Sequence, residues 1–213
     1  RSAMVKGVLY LVGVPIGNEA DMTFRAVHVL KAVDVIAAED TRKAKKLLRH
    51  FAIKPQKLVA HHAHNEVQSS KGLLDFLNQG QDVALITDAG MPAVSDPGYY
   101  VLTAAREVGY EVKIIPGVSA VPTAVAISGL PAEDFRFIGF LPRKKGQQDK
   151  ALDTLKHQTT TLVFFESPRR IVATLENIIQ HFGNRRMCLC RELTKTHEEV
   201  LPAQAHTLLN ILR

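Results

Sequence analysis

Short apolar runs alternate with amphipathic stretches along the whole chain, and this alternation limits the possible folds most strongly. The apolar runs of the first half predict strands over residues 9–14, 35–38, 58–60, 83–87 and 112–115. Between them the pattern predicts amphipathic helices, such as one that begins after Thr23 and places Phe24, Val27, Leu30 and Val33 on one face. This order is typical of a mostly parallel α/β sheet. The ligands of such sheets bind at the carboxyl ends of the strands.

A segment rich in glycine and proline, residues 116–131, separates two regions of the chain. We therefore predict an N-terminal α/β domain over residues 1–117 and a C-terminal α/β domain over residues 118–213. In the second domain the pattern predicts strands over residues 135–140, 162–165 and 187–190, and helices over residues 149–157 and 170–181. The polar residues 141–150 predict an exposed loop, and residues 1–3 before Met4 are interpreted as a cloning remnant.

Composition restricts the class of partner. Lys and Arg number 27 against 21 Asp and Glu, which gives a net charge of +6 and suggests a polyanionic partner.

The longest mostly apolar stretch, residues 120–130, is interrupted by Pro122 and Gly129 and is too short for a membrane span. Two cysteines cannot form a four-cysteine zinc site. We predict a cytoplasmic protein in which Cys188 and Cys190 are reduced, structural thiols.

Glycine-containing or acidic loops follow several predicted strands: VPIGN at 14–18, AEDTR at 38–42, TDAGMPAVSDPG at 87–98 and PGVSA at 116–120. The third loop is longer than a plain connection needs, so it is the best candidate for contact with a polar ligand. Asp40 at a strand end suits acid–base chemistry, but it suits a helix N-cap equally well. The basic run from Arg42 to Arg49 contains no acidic residue, which favours phosphate contact over a merely solvated face. His62 and His64 would share one face of a strand, but no third metal ligand stands at a familiar spacing.

Eight motifs occur together in a fixed order: VPIGN, AEDTR, HAHNE, TDAGMPAVSDPG, PGVSA, GFLPRK, FFESPRR and RELTKTHEE. In this order they resemble the small-subunit ribosomal RNA methyltransferases of the tetrapyrrole methylase superfamily. The resemblance implies a two-domain fold, with a mostly parallel sheet in the N-terminal domain and a mixed α/β C-terminal domain. It implies S-adenosylmethionine in the cleft between the domains and a homodimer. It also implies 2′-O-methylation of a cytidine in the decoding region of 16S ribosomal RNA in the small subunit. The methyl transfer itself requires no metal, so none is expected.

The resemblance also implies roles for particular residues. The cofactor-binding candidates are Pro15, Ile16, Gly17, Asp88, Ala89, Gly90, Ser95, Asp96, Ser119, Ala120, Phe165 and Glu166. The candidates for RNA phosphate contact are Arg42, Lys43, Arg143, Lys144, Arg169 and Arg170. An alkyl transfer to a ribose hydroxyl needs a base and a nearby positive charge. The catalytic candidates are therefore Asp40, Glu66, Glu192 and Lys195, with Asp40 and Glu66 preferred as the base.

This sequence differs from the family pattern at several positions. Val14 and Met91 stand where relatives usually have threonine, and Arg169 stands where they have histidine. We also expect that a last strand and helices of the second domain would follow Arg213. Two other functions are compatible with the motifs. One is methylation of an anionic corrinoid precursor, and the other is RNA binding by a non-catalytic assembly factor on the same scaffold.

Overall fold

The computed structural model describes residues 5–95 and 97–213. The chain divides into two compact units, one that ends at Ala120 and one over Val121–Arg213. The first unit is built around a five-stranded sheet with the strand order β3-β2-β4-β1-β5, in which all neighbours are parallel. Its strands are β1 (Val8–Val12), β2 (Val35–Ala38), β3 (Lys57–Ala60), β4 (Val83–Ile86) and β5 (Glu111–Ile115). The predicted mostly parallel α/β fold is confirmed.

Helices connect these strands: α1 (Phe24–Ala32), α2 (Thr41–His50), α3 (Glu66–Asn78) and α4 (Tyr99–Val108). A further helix, α5 (Ala120–Ser128), crosses the boundary between the units, where sequence analysis predicts no regular element. The central strands are apolar throughout because helices cover both faces of the sheet. Every residue of β2 and β4 is buried. Ile36 packs in one core with Leu30 and Leu48, while Val35 packs in the opposite core with Leu77.

Capping residues set the helix ends in the first unit. The hydroxyl of Thr23 accepts a hydrogen bond from the N–H of Ala26 at 2.9 Å and caps α1. The carboxylate of Asp40 caps α2 in the same way through the N–H of Arg42. Gly109 ends α4 with a left-handed φ of 93°, which glycine adopts without strain. All three ends are visible in the sequence, because capping depends on neighbouring residues only.

The prediction that Phe24 faces the core is wrong, since this residue is 97% exposed. Ala26 and Leu30 fill the core-facing positions of α1 instead. They are four residues apart and therefore lie on one face of the helix, whereas Phe24 is rotated by about 200° from Ala26. The apolar character of Phe24 obscured the correct face in the sequence.

After α5, the second unit combines two small sheets with three helices. β6 (Phe135–Phe140) pairs with β7 (Thr161–Phe165) in parallel, and β8 (Arg186–Arg191) pairs with β9 (Glu199–Gln204) in antiparallel orientation. The helices are α6 (Lys145–Leu155), α7 (Ile171–Phe182) and α8 (Ala205–Leu212). Sequence analysis predicts neither β9 nor α8. None of the helices in the described residues has the length and apolar character that crossing a membrane requires.

The predicted exposed loop over residues 141–150 is wrong in its second half, because α6 begins at Lys145. Gln148 shows why. Its buried amide donates to the carbonyl of Pro142 at 3.0 Å and accepts from the amide of Asn177 at 2.8 Å. Leu152 supplies the apolar contact of the same helix. Polar composition indicates a loop, but here a polar side chain stabilises the helix through contacts distant in sequence.

Candidate functional site

Three loops that sequence analysis singled out meet at the carboxyl edge of the sheet in the first unit. Val14, after β1, and Gly90, after β4, exchange two backbone hydrogen bonds of 3.0 Å each. The N–H of Gly13 donates to the carbonyl of Ile115, the last residue of β5, at 2.9 Å. The loops after β1, β4 and β5 are therefore held side by side, as the parallel topology requires.

Gly13 and Gly117 bring the loops after β1 and β5 into direct backbone contact. A Cβ atom added to Gly13 would lie 2.7 Å from the nitrogen of Gly117 and 2.6 Å from Sδ of Met91. The N–H of Gly117 donates to the same sulfur at 3.4 Å. Side chains larger than hydrogen do not fit at Gly13. Met91, which departs from the family pattern, packs over this contact.

Asp88 and Glu39 link the loops after β4 and β2. The N–H of Asp88 donates to Oε1 of Glu39 at 3.1 Å, and the N–H of Asp40 donates back to Oδ1 of Asp88 at 3.1 Å. The second carboxylate oxygen of Asp88 lies 3.5 Å from Nζ of Lys43. This reciprocal pair fixes the two loops relative to each other at the sheet edge.

The other predicted cofactor residues are distributed over both units. The structure places these on or beside the loops of the first unit: Pro15, Ile16, Gly17, Ala89, Gly90, Ser95, Ser119 and Ala120. Asp96 lies outside the described residues. In the same loop Ala93 and Ser95 have positive φ angles of 67° and 56°, a conformation that non-glycine residues rarely adopt. Phe165 and Glu166 belong to the second unit.

Two of the candidate bases, Asp40 and Glu66, hold helix N-termini. Oδ1 of Asp40 accepts from the N–H of Arg42 at 2.9 Å. Oε1 of Glu66 accepts from the N–H of Gly98 at 3.1 Å and from that of Tyr100 at 3.4 Å. Each carboxylate is thereby oriented by backbone N–H groups through one oxygen. The sequence is compatible with a capping role and with an acid–base role for Asp40, and the structure shows the capping contact directly.

Glu192 and Lys195 lie in the loop between β8 and β9. Nζ of Lys195 donates to Oε2 of Glu192 at 2.8 Å, and this hydrogen bond is the main cause that lowers the pKa of the Glu192 carboxyl. Glu192 and Thr194 both have left-handed backbones, with φ of 53° and 72°. The N–H of Thr194 donates to Oε1 of Glu198 at 2.7 Å. A lowered pKa makes the carboxylate of Glu192 a weaker base.

Glu166 anchors its own loop. Its side chain is only 6% exposed. One oxygen accepts from the N–H of Ser167 at 2.7 Å and lies 3.1 Å from the guanidinium of Arg170. The other oxygen accepts from the hydroxyl of Thr174 at 2.7 Å. The carboxylate therefore connects the end of β7 to the start of α7.

The candidate RNA contacts are divided between the units. Arg42 and Lys43 begin α2, whereas Arg143, Lys144, Arg169 and Arg170 belong to the second unit. Lys43 and Arg170 are paired with acidic residues. The remaining four are exposed and form no ion pair with the residues that the structure describes: Arg42, Arg143, Lys144 and Arg169.

His61 is the fully buried histidine of the HAHNE region. The hydroxyl of Ser69 donates its proton to the carbonyl of Ala60 at 3.1 Å. The hydrogen bond of 2.9 Å between Nδ1 of His61 and the Ser69 oxygen must therefore be donated by Nδ1 of His61. Burial lowers the pKa of His61. The N–H of His64 donates to Nδ1 of His62 at 3.2 Å. Within residues 5–95 and 97–213, no cluster of three or more His, Cys, Asp or Glu could hold a metal ion.

Cys188 and Cys190 point to the same side of β8, with their sulfur atoms 3.9 Å apart. Burial, together with the neighbouring Cys188, raises the pKa of Cys190 to about 12. A thiol with so high a pKa is a poor nucleophile at neutral pH.

The second unit contains a polar pocket that the sequence does not reveal. Arg143 and Arg170, both candidates for RNA contact, line it together with Gln148 and Asn177. The buried pair of amides gives no recognisable sequence signal, because glutamine and asparagine on a helix are normally solvent-facing.

The family described as tetrapyrrole (corrin/porphyrin) methylases matches residues 8–209. Three relatives are named ribosomal RNA small subunit methyltransferase I. The one from Halalkalibacterium halodurans is 54% identical over 92% of this chain. The one from Micromonospora olivasterospora is 45% identical over 97% of this chain, and the one from Thermotoga maritima is 45% identical over 91% of it. The chain belongs to the tetrapyrrole methylase family, within the branch that those relatives form. The resemblance inferred from the motifs is confirmed.

The alignments cover 68%, 66% and 86% of those three relatives, so the chain spans about two thirds of the first two. Solved structures share the fold at lower identity. Uroporphyrin-III-C-methyltransferase from Thermus thermophilus matches with a TM-score of 0.65 and 22% identity, over 95% of this chain and 87% of that one. Cobalt precorrin-4 methyltransferase matches with a TM-score of 0.67 and 20% identity, over 97% and 89%. At such identities these structures support the fold alone.

Proposed function

We propose that this chain transfers a methyl group from S-adenosylmethionine to the 2′-hydroxyl of a cytidine ribose in the decoding region of 16S ribosomal RNA. The observation that carries the proposal is 54% identity, over 92% of the chain, to a relative named ribosomal RNA small subunit methyltransferase I. The net charge of +6 supports a nucleic-acid substrate. A cytoplasmic homodimer, with the cofactor in a cleft between the domains, is part of the same proposal.

The residues of the first unit fit S-adenosylmethionine. This cofactor has ribose hydroxyls, an amino group and a carboxylate, which are bound by backbone groups and acidic side chains. The bare backbones of Gly13 and Gly117 let a ligand approach the main chain closely. Asp88 and Ala89 are exposed at the same edge, where the carboxylate of Asp88 can accept hydrogen bonds from ligand hydroxyls. We propose that these loops, with Pro15 to Gly17, bind the cofactor.

When bound, S-adenosylmethionine supplies an electrophilic methyl group, and its thioether product is the leaving group. The chain must align the ribose 2′-oxygen with that methyl group and accept the hydroxyl proton as the new oxygen–carbon bond forms. Asp40 and Glu66 are the preferred bases. Each has one oxygen oriented by backbone N–H groups, and neither second oxygen has a partner within the described residues.

Glu192 is a weaker candidate for the base, because its ion pair with Lys195 lowers its pKa. Lys195 is the candidate that stabilises negative charge on the ribose oxygen. Contact with RNA phosphates is proposed for the exposed cations at the start of α2 and in the second unit. Helix α2 supports this assignment, since its ten residues include no acidic one.

The test measures transfer of labelled S-adenosylmethionine to small ribosomal subunits that lack the modification. Label in one ribose 2′-O position of a cytidine is the expected result. Asp40→Asn, Glu66→Gln and Glu192→Gln then rank the bases, and loss of the essential base should slow turnover by about 100-fold or more. Glu107→Gln is a matched control, because Glu107 is an exposed residue of α4.

Two outcomes would contradict the proposal. Label in an anionic corrinoid precursor, with none in RNA, would indicate a tetrapyrrole methyltransferase. Salt-sensitive RNA binding that is indifferent to the cofactor, without transfer of label, would indicate a non-catalytic assembly factor.

A further inference from the structure

His181, near the end of α7, lies between two carboxylates of α6. Its Nε2 is 2.9 Å from Oδ1 of Asp149, and its Nδ1 is 2.9 Å from Oδ1 of Asp153. Because the two aspartates are four residues apart, they lie on one face of α6. The imidazole therefore bridges the two helices through both of its nitrogen atoms, and its side chain is only 14% exposed.

This geometry determines the protonation state of His181. An ionised carboxylate accepts hydrogen bonds but donates none. A neutral imidazole has a single N–H group, so it would donate to one carboxylate and turn a lone pair toward the other. Two contacts of 2.9 Å require two N–H groups, which only the imidazolium form provides. His181 is therefore positively charged in this arrangement.

Two lysines extend the cluster on α6 and just after it. Nζ of Lys145 lies 3.4 Å from Oδ2 of Asp149, and Nζ of Lys156 lies 3.7 Å from Oδ1 of Asp153. Positive and negative charges thus alternate along five side chains. The hydrogen bond to Asp149 is the main cause that raises the pKa of His181, and Asp153 contributes in the same direction. In return, the hydrogen bond from His181 is the main cause that lowers the pKa of the Asp149 carboxyl.

The other elements that pack against α7 meet it through apolar side chains. Leu208 of α8 and Met187 of β8 belong to the same apolar cluster as Leu175 of α7. Glu176 of α7 pairs with Arg213 at 3.3 Å, but it is rotated by about 140° around the helix from His181. The charged groups that act on the pKa of His181 are therefore the two aspartates of α6.

We propose that His181 is a pH-sensitive clamp between α6 and α7. In its doubly protonated form it donates to both carboxylates and joins the helices. When one ring nitrogen releases its proton to solvent, its lone pair faces a carboxylate, and that contact becomes repulsive. The two helices then open more easily. This device does not depend on the proposed methyl transfer.

The clamp is closed between two pH limits. The folded chain holds the proton of His181 more tightly than the unfolded chain does. The stabilisation is therefore complete below the ordinary pKa of 6.5 and is lost as the pH rises through the raised pKa. The carboxyl of Asp149 behaves in the opposite way. Its stabilisation is present above the ordinary pKa of 3.8 and is lost as the pH falls through the lowered pKa.

The first experiment follows the ring nitrogens of His181 by NMR during a pH titration. Both nitrogens should carry protons at pH 6.5, and the midpoint should lie above 6.5. Asp153→Asn should lower the midpoint, because an amide does not balance the charge of the imidazolium. Asp134→Asn is the matched control, since Asp134 is an exposed aspartate of the same unit outside the cluster. A midpoint at or below 6.5, or equal effects of the two variants, would overturn the proposal.

The second experiment measures the opening of α6 and α7 by hydrogen exchange of their backbone amides, corrected for the pH dependence of intrinsic exchange. Protection of both helices should fall as the pH rises through the midpoint of His181, while strands β2 and β4 of the first unit keep theirs. The total loss should match the distance between that midpoint and 6.5, about tenfold for each pH unit. A loss restricted to the first unit, or none, would reject the clamp.

Two variants assign this loss to His181. His181→Gln should abolish the pH dependence of protection in α6 and α7, whereas His157→Gln should retain it, because His157 is an exposed histidine after α6. If His181→Gln does not fold, Asp153→Asn gives the same test, since it keeps the imidazole and should reduce the loss. An undiminished loss in the variant that folds would contradict the proposal.

Discussion

Replacing Gly13 by alanine is expected to force apart the loops after β1 and β5. The new Cβ atom would lie 2.6 Å from Sδ of Met91, 2.7 Å from the nitrogen of Gly117 and 2.8 Å from its Cα atom. Cβ atoms essentially never approach other heavy atoms within 3.0 Å. The thioether of Met91 can rotate away, but the backbone of Gly117 must move together with the end of β5.

Overpacking of this kind costs about 1–3 kcal/mol. Since about 1.4 kcal/mol corresponds to a factor of ten, the folding equilibrium should weaken by about fivefold to 150-fold. Affinity for S-adenosylmethionine should fall as well, because the displaced loops are the proposed cofactor site. The double variant Gly13→Ala with Met91→Ala should lose almost as much stability and cofactor affinity as Gly13→Ala alone. Removing the sulfur relieves one contact and leaves both contacts to the backbone of Gly117.

The assay combines urea unfolding with calorimetric titration of S-adenosylmethionine. Gly72→Ala is the control for the substitution itself, because a Cβ atom there would meet nothing within 4 Å. Because Gly72 lies in the middle of α3, Gly72→Ala should raise the free energy of unfolding by about 0.5–1 kcal/mol. Gly7→Ala is the control for stability, since its Cβ would lie 1.8 Å from the carbonyl oxygen of Gln81, away from the candidate site. A Gly13→Ala protein with unchanged stability and cofactor affinity would refute the reasoning.

Three further substitutions test the caps, the buried histidine and the buried carboxylate. Thr23→Ala removes the cap of α1 and should lower the free energy of unfolding by about 1 kcal/mol in urea, whereas Thr23→Ser should preserve it; equal midpoints for both would speak against the cap. Burial lowers the pKa of His61, so below pH 6.5 the unfolded chain binds a proton that the folded chain does not. The free energy of unfolding should therefore fall as the pH drops below 6.5. His61→Gln should make this dependence on pH less steep, and a dependence identical to that of the unaltered protein would exclude His61 as its source. Glu166→Ala leaves the hydroxyl of Thr174 and the guanidinium of Arg170 without their partner, and should cost about 2 kcal/mol in urea unfolding. This figure is below that of a fully buried pair because the Arg170 side chain is 32% exposed, and a loss under about 0.5 kcal/mol would contradict the anchor.

The strands β2 and β4 of the first unit were predictable because their burial is complete. Sequence and structure agree on Val35–Ala38 as β2, where helices cover both faces and every residue is apolar. The second unit was harder to predict. β9 contains Pro202, which sequence rules assign to an edge strand or to none, and in the structure Pro202 lies opposite Cys188 on a two-stranded sheet.

The candidate site was predictable as a set of loops but not as a set of contacts. Parallel topology places these loops at one edge of the sheet, where Val14 and Gly90 meet. The sequence does not reveal that Asp88 pairs with Glu39, 49 residues away, or that Glu66 holds the start of α4. Such pairings depend on the order of the strands in the sheet, which no local pattern encodes.

The sequence by itself determined the alternation of strands and helices, the capped helix ends and membership of the methylase family. These features depend on periodicity, on neighbouring residues or on the order of motifs along the chain, none of which requires contacts between distant segments. The tertiary structure decided which polar groups are paired and which are left without a partner. It placed the backbones of Gly13 and Gly117 in contact and buried Asn177 with an unpaired oxygen beside Arg143. Burial and pairing arise only when distant segments pack together, because only packing removes water from a polar group.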